Sequence, residues 1–172
     1  MDVINKYMNK KQTGFTLVEL LVTMAIAAIL MSMAVPNYRE FVMNNRMITA
    51  TNDFVTTLAM ARSEAVKRGQ GVTICSSDDM ATCTASDWNQ GWIIMVTSSS
   101  ELLRVHEPLD SAITLTNAAS NTSIEYRPTG FLNGGAANSF NLCDNRTGET
   151  GRQIDISGTG RPTNITPHPV CV

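Results

Sequence analysis

The 172-residue sequence predicts an α+β fold: a long N-terminal α-helix, apolar in its first half and amphipathic in its second, packed on an antiparallel β-sheet or sandwich head that carries disulfides. Three observations predict it. Residues 15–35, FTLVELLVTMAIAAILMSMAV, are apolar or small without interruption except for the carboxylate of Glu19. From 37 to 68 the apolar residues recur at helical spacing. Beyond Gly69 they fall into short runs with a period near two, parted by Gly, Asn, Ser and Pro. The segments are thus 1–14, a basic leader; 15–35, a membrane-spanning helix; 36–69, an amphipathic helix; and 70–172, a β-rich globular head.

As a helix, 15–35 rises about 30 Å, the hydrocarbon thickness of a bilayer. The leader holds Lys6, Lys10 and Lys11 against Asp2, so the positive-inside rule keeps Met1 in the cytoplasm and exports everything after Val35. Glu19 is the anomaly, because an acid inside a spanning helix costs roughly 2.5–3.5 kcal/mol on insertion scales and calls for a partner. A cut between Gly14 and Phe15 would create an α-amine one helical turn before Glu19. The same amine on a neighbouring chain in staggered register would turn a single-chain penalty into a charge pair between subunits.

Lys11-Gln12-Thr13-Gly14 followed by Phe15-Thr16-Leu17-Val18-Glu19-Leu20 resembles the class III signal of type IV pilins and type II secretion pseudopilins, and Pro36-Asn37-Tyr38 looks like the same family. The resemblance implies cleavage after Gly14 by a prepilin peptidase, N-methylation of Phe15, and Glu19 as the carboxylate that pairs with a neighbour's N-terminus. Two plainer readings compete. An ordinary signal peptide could end at Ser32-Met33-Ala34, and the span could be a simple anchor. Neither accounts for Glu19.

The whole chain carries a formal charge of −2, and removing the leader's three lysines and one aspartate leaves −4, which is not the global signature of a nucleic-acid binder. All four cysteines, Cys75, Cys83, Cys143 and Cys171, follow the span and so reach an oxidising compartment. Three pairings are possible, and the local ones, Cys75 with Cys83 and Cys143 with Cys171, are favoured. Metal binding has little support: there is no C-x-x-C, and His106 and His168 stand apart. No cofactor is expected.

In the second helix Tyr38, Phe41, Met47, Ile48, Phe54, Val55, Leu58, Ala61, Ala65 and Val66 form an apolar stripe expected to be core. Lys67 and Arg68 suit a helix C-terminus, and Gly69 suits its left-handed cap. Pro36 cannot bond the carbonyl of Ser32, so a kink or local unwinding is expected there. Strands are expected at 72–75, 92–97, 102–106, 113–116, 124–127, 140–143, 152–157 and 164–166, with a turn at Asn133-Gly134-Gly135.

Ala61-Arg62-Ser63-Glu64-Ala65-Val66, the Trp88…Gly91-Trp92 stretch, and Gly151-Arg152-Gln153-Ile154-Asp155-Ile156-Ser157…Gly160-Arg161 look like the GspH/FimT family of minor pilins and pseudopilins. The pilin-like fold this implies is an N-terminal helix embracing a β-sandwich-like globular head. Some members bind DNA through a Gly-Arg-x-Arg motif. Here the matching residues read Gly160-Arg161-Pro162-Thr163, so the second arginine is missing. Arg146, Arg152 and Arg161 are the candidate DNA contacts, balanced in number by Asp144, Glu149 and Asp155. Catalysis has no motif behind it: no G-x-S-x-G, P-loop or H-E-x-x-H occurs. The sequons at Asn121, Asn145 and Asn164 read as accidents of an Asn- and Thr-rich head.

The resemblance therefore implies a minor pilin that primes a type IV pilus or links its tip complex to the shaft. The alternatives are a minor pseudopilin of type II secretion and a DNA-binding minor pilin of natural transformation. Expected partners are other minor and major pilins or pseudopilins along the N-terminal helix, the prepilin peptidase, the inner-membrane assembly platform and, in the third reading, DNA. The expected location is the inner membrane, single-pass with a periplasmic head, and then the filament.

Overall fold

The computed structural model describes residues 14–146, 151–168 and 171. The leader before Gly14 lies outside the described residues. Helix α1 runs over Leu17–Arg68, with Glu19 in its first turn and Lys67 and Arg68 in its last. It stops where expected: Gly69 takes φ +64°, and the Gln70 N–H reaches back to the Ala65 carbonyl at 3.3 Å, which closes a Schellman cap. The unwinding expected at Pro36 does not occur, and the helix is unbroken there. The ring fixes φ near the helical value, which keeps the helix continuous although it withholds one bond from Ser32 and crowds that carbonyl.

The chain divides into two compact units, one ending at Val42 and one from Met43 to Val172. The first is the apolar start of α1, long and apolar enough to cross a membrane, with no residue of its apolar window buried. The second unit takes in the helix from Met43 onward, and residues from Met47 supply its core.

Eight strands follow: β1 Val72–Ser76, β2 Trp92–Val96, β3 Leu102–His106, β4 Ile113–Asn117, β5 Ser123–Tyr126, β6 Asn138–Asp144, β7 Gly151–Ile156 and β8 Pro162–His168. They make two four-stranded antiparallel sheets, ordered β3-β2-β1-β5 and β4-β6-β7-β8. Alternation decides what β4 and the end of β7 bury. Ile154 and Ile156 of β7 are fully buried, with the half-buried Gln153 and Asp155 between and beside them.

One core joins the second half of α1 to both sheets, through Phe54, Leu58, Ile74, Trp92, Leu115, Phe140 and Ile154 among others. The Phe54 ring lies 5.8, 5.2 and 4.7 Å from Trp88, Trp92 and Phe140. The predicted apolar stripe needs correcting. Met47, Phe54, Leu58, Ala61 and Ala65 are buried, but Tyr38, Phe41, Ile48 and Val66 are exposed. The buried face also takes in Ala50, Thr51 and Thr57. The two threonines fit because their hydroxyls bond back to the carbonyls of Met47 and Asp53, at 2.6 and 2.8 Å.

Candidate functional site

Two places carry the residues singled out from the sequence. The first is the start of α1. Phe15 is exposed, and Thr16 and Glu19 form a reciprocal pair: the Thr16 N–H donates to Glu19 Oε2 at 3.4 Å, and the Glu19 N–H donates to Thr16 Oγ1 at 3.2 Å. This is a capping box, in which each side chain satisfies a backbone donor of the other. The carboxylate is thus partly compensated within its own chain, in the first turn of a helix whose positive end favours an anion. One long bond from an exposed N–H leaves it free to accept a cation. Thr16 has no role in the sequence reading above, although the Thr-x-x-Glu spacing marks it.

The second place is the far end of α1. The Arg62 Nε donates to the Gly130 carbonyl at 3.0 Å. Gly160, at φ +79°, passes so close that an added Cβ would stand 2.2 Å from that same oxygen and 2.9 Å from Tyr126 Cε1. Residues from the Ala61–Val66 and Gly160-Arg161 stretches, far apart in sequence, therefore meet around one carbonyl. Tyr126 is fully buried there, with no hydrogen-bond partner for its hydroxyl among the described residues. Burial pushes its phenol well above the usual range, offset in part by the nearby Arg62 charge.

Around these, charges are largely paired. Arg68 bonds Glu64 at 2.7 Å and Glu101 at 3.1 Å. The Arg68 hydrogen bond holds the Glu64 carboxyl below its ordinary value, and its bonds to Glu64 and Glu101 raise Arg68 in turn. Asp79 is held far below the carboxylate range, first by the Thr82 hydroxyl and then by the N–H groups of Thr82 and Ala81 and the Ser77 hydroxyl. His106 lies flat on Trp92, rings 3.9 Å apart, its Nδ1 2.8 Å from the Glu107 carbonyl. Among the described residues no cluster of His, Cys, Asp or Glu could hold a metal ion.

Both local disulfides are present, Cys75–Cys83 and Cys143–Cys171. The candidate DNA-contacting arginines are not gathered into one patch. Arg146 Nε bonds Asp144 at 2.9 Å and its Nη2 bonds Asn44 at 2.9 Å. Arg152 is half-buried near the start of β7, and the exposed Arg161 lies beyond the other end of that strand, just before Pro162, which pairs with Ile156.

The family described as type II transport protein GspH matches residues 50–160, and the prokaryotic N-terminal methylation motif matches residues 9–35. The chain belongs to the GspH family. A solved structure of the minor pilin FimU from Pseudomonas aeruginosa superposes with a TM-score of 0.63 at 25% identity, covering 74% of this chain and 93% of that one. The minor pseudopilin EpsH of Vibrio cholerae shares the fold, with a TM-score of 0.54 at 10% identity over 71% of this chain and 98% of that one. A fimbrial protein of Pseudomonas aeruginosa is 33% identical over 63 residues, 37% of this chain, so the chain spans about 40% of the length of that relative. This GspH family is one of structural pilins and pseudopilins rather than enzymes. Its N-terminal motif and apolar helix give a single-pass anchor in the inner membrane, a periplasmic head, and processing by the prepilin peptidase.

Proposed function

We propose that this GspH-family chain is a minor pilin, a structural subunit that primes a type IV pilus or joins its tip complex to the shaft. The observation that carries the pilus side is the likeness to FimU, at 25% identity over 93% of that chain, against 10% for EpsH. In this reading the leader is cut after Gly14, Phe15 becomes the methylated N-terminus, and Glu19 meets the N-terminal amine of a neighbouring subunit. The capping box suits a waiting state, with the Thr16 N–H steadying the carboxylate until a full positive charge replaces it.

The test is Glu19→Ala in the full chain, with immunoblots of membranes and of sheared filaments. The variant is expected at wild-type level in membranes and reduced about tenfold or more in filaments, since removing one partner of a desolvated charge pair costs about 2–5 kcal/mol. Equal incorporation would rule out the pairing.

The secretion pseudopilin is the second reading, favoured by the match to type II transport protein GspH over 50–160. Co-purification of the full chain with secretion pseudopilins in place of minor pilins would put it first. DNA binding ranks below both: the exposed Arg161 speaks for it and the commitment of Arg146 to Asp144 against it. Salt-sensitive retention of duplex DNA, abolished by Arg161→Ala, would reverse that order.

A further inference from the structure

Two four-stranded sheets have four edges, and three are closed in different ways. At β4 the Leu115 N–H is taken by the Asn89 side chain at 2.5 Å, from a short 3-10 turn at Trp88–Gln90. Along β5 the segment 131–133 runs alongside: Tyr126 bridges Leu132, the Asn133 N–H reaches the Glu125 carbonyl at 2.8 Å, and the Arg127 N–H reaches the Phe131 carbonyl at 2.8 Å. Strand β8 contains Pro162 and Pro167, which have no N–H to offer a newcomer.

The fourth edge, β3, has none of these guards. It holds no proline and no lysine, and among the described residues no backbone hydrogen bond reaches its outer side. A bulge and the charge of Arg104 are its guards, and they leave its backbone groups unpaired, a template for pairing with another chain. The side chains add a second signal. A bulge between Ile94 and Met95 makes Arg104 pair with Ile94 and Leu102 with Met95, so Leu102 and Val105 share one face while Arg104 and His106 occupy the other. Leu102 and Val105 are 43% and 37% exposed, an apolar step beside the open edge. Arg104, also exposed, donates to the sulfur of Met60 at 3.7 Å and has no carboxylate partner among the described residues.

We propose that the outer edge of β3 is a strand-docking site. Its occupant is an extended segment of a different subunit of the same filament, presenting a carboxylate to Arg104 and apolar side chains beside Leu102 and Val105. Backbone pairing supplies the affinity and the two faces supply the selectivity. A second copy of this chain fits poorly: pairing β3 antiparallel with itself about its middle residue would set two Arg104 side chains opposite each other, and like charges there are destabilising. Five residues bury far less than the roughly 1,000 Å² of a self-sufficient interface. The contact therefore works once other packing has brought the subunits together and raised their effective concentration. It rests on the filament role proposed above.

Hydrogen exchange read by mass spectrometry, on the full chain in detergent micelles and in purified filaments, tests it. Amides of 102–106 are expected to exchange about tenfold more slowly in filaments. Arg104→Glu and Val105→Lys should keep the wild-type exchange pattern elsewhere in micelles and lose the added protection in filaments. Equal exchange of 102–106 in micelles and filaments, with the chain present in the latter, overturns the docking site alone. So does protection that survives Arg104→Glu. Protection that already appears in micelles and grows with protein concentration would make the occupant a second copy and overturn the partner proposed here. Absence of the chain from filaments overturns the filament role and the docking site with it.

Discussion

The two regions that share α1 solve the same problem in opposite ways. From Leu17 to Val35 the helix is apolar or small all round save for Glu19, and Leu21, Met24 and Ile29 are each more than half exposed. Such a helix is stable only where the surroundings are themselves apolar, which is the condition of a membrane span or a filament interior. From Met47 the helix is apolar on one face alone, and that face disappears beneath two sheets, with Phe54, Leu58, Ala61 and Ala65 fully buried. What differs is which solvent each side chain is built to leave, and so mutations in the two regions should be read by different assays.

Phe54→Ala has the largest expected effect. The ring sits against Trp88, Trp92 and Phe140, and removing it leaves a cavity among three aromatic neighbours that cannot follow it inward. Losses for such a truncation run at about 3–5 kcal/mol, enough to unfold much of a marginally stable head. Thermal denaturation in detergent, followed by tryptophan fluorescence, should show a drop of ten degrees or more. Leu21→Ala, equally apolar and equally helical, should leave that transition where it is. A comparable drop for both would mean that the two regions do not differ in the way argued here.

The same contrast explains what was legible in the sequence. All eight strands overlap the runs that predict them, and β3 has the predicted limits; β4 shows the clean alternation, burying Ile113, Leu115 and Asn117, whereas β1 and β2 bury residues on both faces. Strand β6 extends to Asn138 beyond the predicted 140–143, since its added length is polar: Asn117 bonds Asn138 at 2.6 Å, and Ser139 bonds Asp155 at 2.8 Å. Such pairs join residues distant in sequence and leave no periodic trace. Asn89 is a stronger case, a lone polar residue whose work is to close the edge of β4. The anomaly of Glu19 was visible at once, because composition alone makes a carboxylate in a span costly. The meeting of Arg62, Gly130, Gly160 and Tyr126 was not, because only the fold brings them together.

Gly151→Ala sharpens the comparison by acting on the head alone, with a smaller expected effect than Phe54→Ala. An added Cβ would stand 2.2 Å from Cys171 Sγ and 2.4 Å from the Leu142 carbonyl, so even the smallest side chain displaces the bridge or spreads β6 from β7. The expected outcome is two free thiols at Cys143 and Cys171 on alkylation and mass analysis, with Cys75–Cys83 intact as an internal control. Loss of the bridge should cost about 2–4 kcal/mol of stability. A full complement of disulfides at wild-type stability would show that the backbone there yields more easily than the contacts suggest.

Tyr126→Phe should change least, and in a direction opposite to the other two. The hydroxyl is buried without a partner among the described residues, so deleting it should be neutral or stabilising by about 1 kcal/mol at neutral pH. The alkaline limb carries the sharper signal. Burial raises the folded-state pKa of the phenol above its unfolded value of 10.0. The neutral phenol therefore adds stability that is fully present below about pH 10 and fades as pH rises toward the folded-state value, because the unfolded chain ionises first. Wild type should lose stability above about pH 10 more steeply than Tyr126→Phe, as measured by denaturant midpoints between about pH 8 and 11. Equal slopes would mean that the phenol is hydrated in the folded head, and that the carbonyl shared by Arg62 and Gly160 lies in a wetter place than the packing around it implies.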